Sequence, residues 1–302
     1  MTTGIGTIYV VGAAGHQGRA ALDHLRARGL EAHALFDERD ARQMRDPRWA
    51  DSATRIARLD DPASVGRALH GAGALFLALE QPETGPAERL RQGKAVAEAA
   101  ARAGLGHLVF VAAGGSDHHQ LSCDVSSEVE RRLRKLEVPT TVLRPATFME
   151  EIPWYWLSRF GRELTLSTPF VAGNHLPLVA LDDVGALAAL ALARPGELTG
   201  RTLAVAGDTR TPLQVAARLT TGLGEPVRYA EVQVEGVFVN QEATTPVHDI
   251  GWLRSLYPRL HTFNGWLEEG GGLELCRRAA GRSTARSAES AGRRQSTRTR
   301  AK

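Results

Sequence analysis

Cysteine is nearly absent from this 302-residue chain: Cys123 stands in a polar Ser-Cys-Asp segment, Cys276 in a basic C-terminal stretch, and there are no others. Two such residues make neither a disulfide framework nor a metal knuckle, and a chain this long buries a core without either. A reducing cytoplasm is the expected compartment. Aromatic residues are also sparse, at 6%. Long apolar runs are missing: the Ala/Leu stretch from Gly185 to Ala193 falls well short of the roughly 20 residues a membrane span requires, so no membrane insertion is expected. No basic leader or small-residue cleavage site precedes the apolar run Ile8-Tyr9-Val10-Val11, which therefore reads as a first strand. Metal-ligand spacings, Gly-x-Ser-x-Gly and Walker sequences are lacking too, so no metal is expected.

Acidic residues are scarce at one end. Residues 281–302 carry six Arg and one Lys against Glu289 alone, so the overall charge of +3 hides a body of about −3. That tail holds no large apolar residue and cannot offset its own ordering entropy, so residues 276–302 are expected to be a basic, disordered extension. Any nucleic-acid contact is expected to be weak and confined to it.

What is present is alternation. Short aliphatic or β-branched runs near Thr7–Val11, Ala32–Phe36, Arg55–Leu59, Ala74–Leu79, His107–Val111 and Thr140–Leu143 are predicted strands. Helical periodicity fills Gly15–Arg28, Pro62–His70, Pro86–Ala103 and Asp124–Leu136 between them. Repeated βαβ units with right-handed crossovers predict an α/β fold, a doubly wound parallel Rossmann-type sheet over residues 1–150. After Arg144-Pro145 the alternation breaks and aromatics gather at Phe148, Trp154, Tyr155, Trp156 and Phe160. Residues 151–275 are expected to form a smaller α+β lobe, interleaved because helix Leu181–Arg194 and strand Thr202–Val205 are placed to return to the sheet.

The loop Gly12-Ala13-Ala14-Gly15-His16-Gln17-Gly18 ends the first strand and opens the first helix. Its glycines suit a dinucleotide: Gly12 for a tight turn, Gly15 for approach of backbone N–H groups to a pyrophosphate, Gly18 for close helix–strand packing. The helix N-terminus adds partial positive charge. Asp37, 19 residues after Gly18 at the end of strand two, is the expected acceptor for the adenosine ribose hydroxyls, and a carboxylate there opposes a 2′-phosphate. NAD(H) is therefore expected over NADP(H), by about tenfold. Arg39, Arg42 and Arg45 follow and offer the opposite choice, while Asp37 has an alternative role as the cap of a helix starting near Glu38. As an exposed strand-end residue, Asp37 is expected to tolerate replacement at under about 0.5 kcal/mol. Of Asp60 and Asp61, which precede Pro62, one suits the adenine edge and the other a helix cap.

These residues, with Leu59-Asp60-Asp61-Pro62, Arg144-Pro145-Ala146-Thr147-Phe148-Met149-Glu150 and Leu181-Asp182-Asp183-Val184-Gly185, resemble the NmrA-like family from Ile8 to about Glu269. The family comprises atypical short-chain dehydrogenases, both NAD(P)-sensing regulators and reductases. The resemblance implies an extended Rossmann domain, a small C-terminal lobe, and a substrate cleft between them near Phe148, Trp154 and Tyr155.

Related carbonyl reductases place a Ser at the end of strand five and a Tyr/Lys pair on the next helix to deliver a proton. Here Ala112-Ala113 end that strand, Ser126 stands where the family often has a lysine, and neither Tyr nor Lys occurs between Leu105 and Arg134. His118 and His119 are the remaining candidate acids. Two readings follow: an NAD(P)H-dependent oxidoreductase or isomerase acting on a small apolar or aromatic substrate without the Tyr/Lys pair, or a non-catalytic redox sensor that binds a protein partner.

Overall fold

The computed structural model describes residues 5–40, 49, 54–79, 85–112, 120–232 and 249–281, the side chains of residues 40 and 120–124 excepted. The expectations for the 282–302 tail, for Arg42 and Arg45, for His118 and His119 and for the Cys123 side chain lie outside these residues. The start of the expected extension is corrected: Cys276–Ala280 form the end of a helix, because Cys276, Ala279 and Ala280 supply it with a buried apolar face.

The first six strands are β1 (Thr7–Val11), β2 (Ala32–Asp37), β3 (Thr54–Ala57), β4 (Ala72–Ala78), β5 (His107–Val111) and β6 (Thr140–Pro145). Crossover helices are α1 (His16–Ala27), α2 (Pro62–Ala68), α3 (Pro86–Ala103) and α4 (Gln120–Lys135). The strand bounds agree with the sequence reading to within two residues, but α4 starts four residues before the expected Asp124. β1, β4 and β5 are almost wholly apolar because helices cover both faces. Ile8, Val10, Phe76 and Val109 meet α1 through Leu22 and Leu25 on one face. Tyr9, Val11, Leu77 and Phe110 meet Val96 of α3 and Val129 of α4 on the other.

The chain then forms β7 (Thr147–Phe148), a single π-helical turn (Ile152–Trp156), β8 (Leu157–Phe160), β9 (Glu163–Thr168) and β10 (Leu176–Val179). It returns to the sheet through α5 (Leu181–Ala193), the short α6 (Pro195–Leu198) and β11 (Thr202–Val205). β11 pairs parallel with β6 and completes a seven-stranded sheet of order β3-β2-β1-β4-β5-β6-β11, parallel throughout. α5 lies against α1 at a close crossing, where a Cβ on Gly185 would come within 2.5 Å of the Ala20 backbone. The remaining elements are β12 (Asp208–Arg210), α7 (Pro212–Leu223), β13 (Val227–Glu231), α8 (Ile250–Leu256), α9 (Phe263–Glu268) and α10 (Gly272–Ala280). They complete two small three-stranded sheets, β12-β10-β7 and β13-β9-β8. A third core, built on Met149, Trp156, Leu166, Phe263, Trp266 and Cys276, holds this lobe together. No described helix is long and apolar enough to cross a membrane.

Candidate functional site

Strand order reverses between β1 and β4, and the loops after their carboxyl ends define the crevice where such sheets bind ligands. The loop after β1 is shaped by its glycines. Gly12 has φ +84°, and a Cβ there would lie 2.5 Å from the Ala78 carbonyl oxygen. A Cβ on Gly18 would stand 2.1 Å from the Gly12 carbonyl, so only glycine lets α1 close onto the turn. Gly15 donates to the Gly12 carbonyl at 2.9 Å and is the N-cap of α1, where no side chain among the described residues caps the first-turn N–H groups. Ala13 is buried beneath the loop and Ala14 is half-buried, and Gln17 follows in the first turn. Arg19 reaches back to the Ala14 carbonyl at 3.2 Å, and its buried Nε has no hydrogen-bond partner among the described residues. A turn that excludes Cβ atoms, an uncapped 12-residue helix and an arginine nitrogen awaiting an acceptor fit a dinucleotide pyrophosphate.

The end of β2 requires a correction. Asp37 is not an exposed acceptor: it is 2% accessible, and both carboxylate oxygens are engaged. Oδ1 accepts from the Arg39 amide and Nε, each at 2.9 Å. Oδ2 accepts from Arg39 Nη2 at 2.9 Å, Gln92 Nε2 at 3.1 Å and the Leu59 amide at 3.3 Å. The bond to the Arg39 amide is a cap on the short 3-10 turn Glu38–Asp40, the alternative role weighed for this residue. Burial alone would raise the Asp37 pKa, but the Arg39 bonds and charge with the Leu59 amide bring it below the usual carboxylate range. Asp61 caps α2, accepting from the Ala63 amide at 2.9 Å. That leaves Asp60, whose buried Oδ1 lacks a hydrogen bond among the described residues and lies 3.7 Å from Arg58 Nε, too far for one.

At the opposite end of the crevice, Ala112 is buried after β5 and its amide donates to the Leu143 carbonyl, while Ser126 is buried on α4. Neither position carries a residue able to deliver a proton from a conventional Tyr/Lys pair. The aromatic cluster divides in two. Trp156 packs inward against Phe170, whereas Trp154 and Tyr155 are 38% and 73% exposed and meet edge to face at 6.2 Å. Phe148 is half-buried against the main sheet's core. The π-helical turn brings Trp154 onto the glycine loop, where its ring stacks on His16 with centroids 4.3 Å apart and planes 31° from parallel. Burial and the Arg19 charge hold the His16 pKa below its ordinary value, so at pH 7 the imidazole is neutral and suited to stacking.

One cluster escaped the sequence reading. Glu150, after β7, is 8% exposed and accepts from the Leu181 amide at 3.1 Å and the Trp266 indole at 3.0 Å. Burial pushes its pKa up to about 7 against a bond to its own amide and those two bonds, with the Asp183 charge adding to the rise. Asp183 is fully buried, and both its oxygens accept from His261, one from Nδ1 at 2.8 Å and one from the amide at 3.0 Å. Donor atoms of Asp182, Asp183 and His261 fall within 4.8 Å of one another, but His261 already occupies Asp183 and His24 meets Asp182 at 2.8 Å, so the group reads as an ion-pair junction between α5, α1 and the α8–α9 connection. Its only trace in the sequence was a run of acids at a helix start and a glutamate in an aromatic segment.

Among known proteins, (4-alkanoyl-5-oxo-2,5-dihydrofuran-3-yl)methyl phosphate reductase of Streptomyces griseus subsp. griseus is 33% identical over 181 residues. The match takes in 58% of this chain and 60% of that relative's length. In fold, the chain resembles Citrobacter sp. triphenylmethane reductase complexed with NADP(H), with a TM-score of 0.68 at 20% identity over 90% of this chain and 99% of that one. It also resembles NmrA, a negative transcriptional regulator solved with NAD, with a TM-score of 0.63 at 17% identity over 89% and 98% of the two chains. Residues 5–266 match the model of the NmrA-like family, and the chain belongs to that family.

Proposed function

We propose that the chain binds a nicotinamide dinucleotide with its pyrophosphate at Gly12–Gly18 and reduces a small, flat, unsaturated acceptor held against Phe148, Trp154 and Tyr155. In this reading residues 1–150 carry the nucleotide, and residues 151–275 together with Phe148 the acceptor. The carrying observation is the His16–Trp154 stack, which joins the glycine loop to the exposed aromatic ledge of the second lobe. A reduced nicotinamide supplies the hydride when bound. The protein's own part is to orient the acceptor, and a conjugated C=C or quinone asks less of an enzymic acid than a simple ketone does, which suits Ala112 and Ser126. The reductases among the similar proteins support this reading. The NAD(H) preference rested on open Asp37 oxygens; with those oxygens engaged, both nucleotides are expected to bind, with Arg39 deciding between them. Following NAD(P)H oxidation across quinones, enones and imines tests this, and tight nucleotide binding with no turnover on any of them would sink the reductase.

A redox-sensing role is favoured by one observation, the buried Ala112 and Ser126 where proton delivery would be built. It requires a partner protein whose affinity differs between nucleotide states. Identical partner binding with NAD+, NADH, NADP+ and no nucleotide would remove it.

A further inference from the structure

Arg39 is shared between two carboxylates. Its Nε and Nη2 face Asp37 in a bidentate pair, and its Nη1 lies 2.7 Å from Oε1 of Glu88, in the first turn of α3. Asp37 is buried, so that side of the guanidinium is fixed in plane and position by two parallel bonds. The Glu88 side is held differently. Its carboxylate is 15% exposed and also pairs with Arg91, and among the described residues Oε1 makes no well-aligned hydrogen bond despite the short approach to Nη1. The Asp37 contact is therefore a directional lock, whereas the Glu88 contact is a charge contact whose partner has a second cation to turn to.

We propose that Glu88 is a positioning residue for nucleotide choice, acting through Arg39: it occupies the guanidinium edge that a ribose 2′-phosphate would otherwise engage, and so holds NADP(H) back relative to NAD(H). The proposal rests on the reading that a nicotinamide dinucleotide binds at Gly12–Gly18 with its adenosine ribose at the end of β2, beside Arg39. A 2′-phosphate carries up to two negative charges and competes with the Glu88 carboxylate for the same cation, whereas two ribose hydroxyls do not. Removing one charge a few ångströms away at a partly solvated site is worth about tenfold in affinity.

The test is calorimetric titration of NAD+, NADH, NADP+ and NADPH into wild type, Glu88→Gln, Arg39→Gln and the double variant, all at one salt concentration. Glu88→Gln is expected to raise the NADP(H)-to-NAD(H) affinity ratio about tenfold, and Arg39→Gln to lower it by a similar factor. In the Arg39→Gln background the Glu88 substitution is expected to move the ratio less than about twofold, because its route is gone. A merely structural role for Glu88 would weaken both nucleotides together and leave the ratio alone. Glu88→Ala, which also removes the hydrogen-bonding group, is to repeat the shift. An unmoved ratio in Glu88→Gln, or an equal shift without Arg39, overturns the proposal while nucleotide binding stands. If wild type binds no nicotinamide nucleotide, the reading beneath it falls as well.

Discussion

Two buried carboxylates lie in different parts of the molecule and titrate in opposite directions. Asp37, at the end of β2, is enclosed with Arg39, Gln92 and the Leu59 amide, and its pKa falls below the usual range although burial works to raise it. Glu150, at the junction of the sheet with the C-terminal lobe, receives N–H bonds from Leu181 and Trp266 but is hydrogen-bonded to no cationic side chain among the described residues, and it rises to about 7. Neutral donors alone do not repay the loss of water around a carboxylate, whereas the same kind of donors with a guanidinium do. The end of β2 is therefore charged and locked at neutral pH, and the lobe junction is poised to gain or lose a proton.

The largest effect expected from this difference is in the pH dependence of stability. A carboxyl whose pKa is raised on folding holds its proton more tightly in the native state, so Glu150 contributes most below pH 4.5 and that contribution is lost as pH rises to about 7. His261 adds in the same direction: the bond to Asp183 raises its pKa, and the stabilisation fades as pH climbs past 6.5 through the folded value. Denaturant melts between pH 4.5 and 7 should lose up to about 3 kcal/mol, and Glu150→Gln should flatten that slope while keeping an acceptor for Leu181 and Trp266. A slope unchanged in the variant would place the titration elsewhere. Asp37 works on the acid side: its lowered pKa gives stability present above pH 3.8 and lost as pH falls through the folded value, so acid unfolding should shift upward in pH when it is replaced.

Next in size is the cost of losing Asp37. Asp37→Ala leaves the buried Gln92 amide and the Leu59 N–H without their acceptor and is expected to destabilise by about 2 kcal/mol, well above the 0.5 kcal/mol of an exposed strand-end site. A change within experimental error would mean that Arg39 and Gln92 re-pair at no cost. The smallest effect belongs to the ledge. Trp154→Ala should cost about 0.5–1 kcal/mol, the worth of one partly exposed ring stack. Its indole fluorescence in wild type should respond to nucleotide added at the glycine loop, and a variant with the same nucleotide-induced signal change would show that another tryptophan reports.

The sheet was legible because buried parallel strands must read as apolar runs and crossover helices as 3.6-residue periods; even the return of β11 could be anticipated. The glycine loop was legible because Gly12 and Gly18 sit where a Cβ has no room. Asp37 was placed on the right strand end but given the wrong exposure, since its partner Gln92 lies 55 residues away and no local pattern announces the pair. The Glu150–Asp183–His261 junction was out of reach for the same reason, as His261 is 78 residues from Asp183. Long-range polar pairing leaves no periodicity to read.

The central claim is that the Gly12–Gly18 loop holds the pyrophosphate of a nicotinamide dinucleotide, and Gly15→Asp tests it most directly. Gly15 has φ −73° and ψ 171°, which aspartate adopts without strain, and as an N-cap aspartate favours the helix, so the variant should fold. It nevertheless puts a negative charge at the uncapped N–H groups of α1. Calorimetric titration with NADH and NADPH, alongside far-UV circular dichroism, is predicted to show one site per chain in wild type and at least ~100-fold weaker binding in the folded variant. Equal affinity in both proteins would contradict the account.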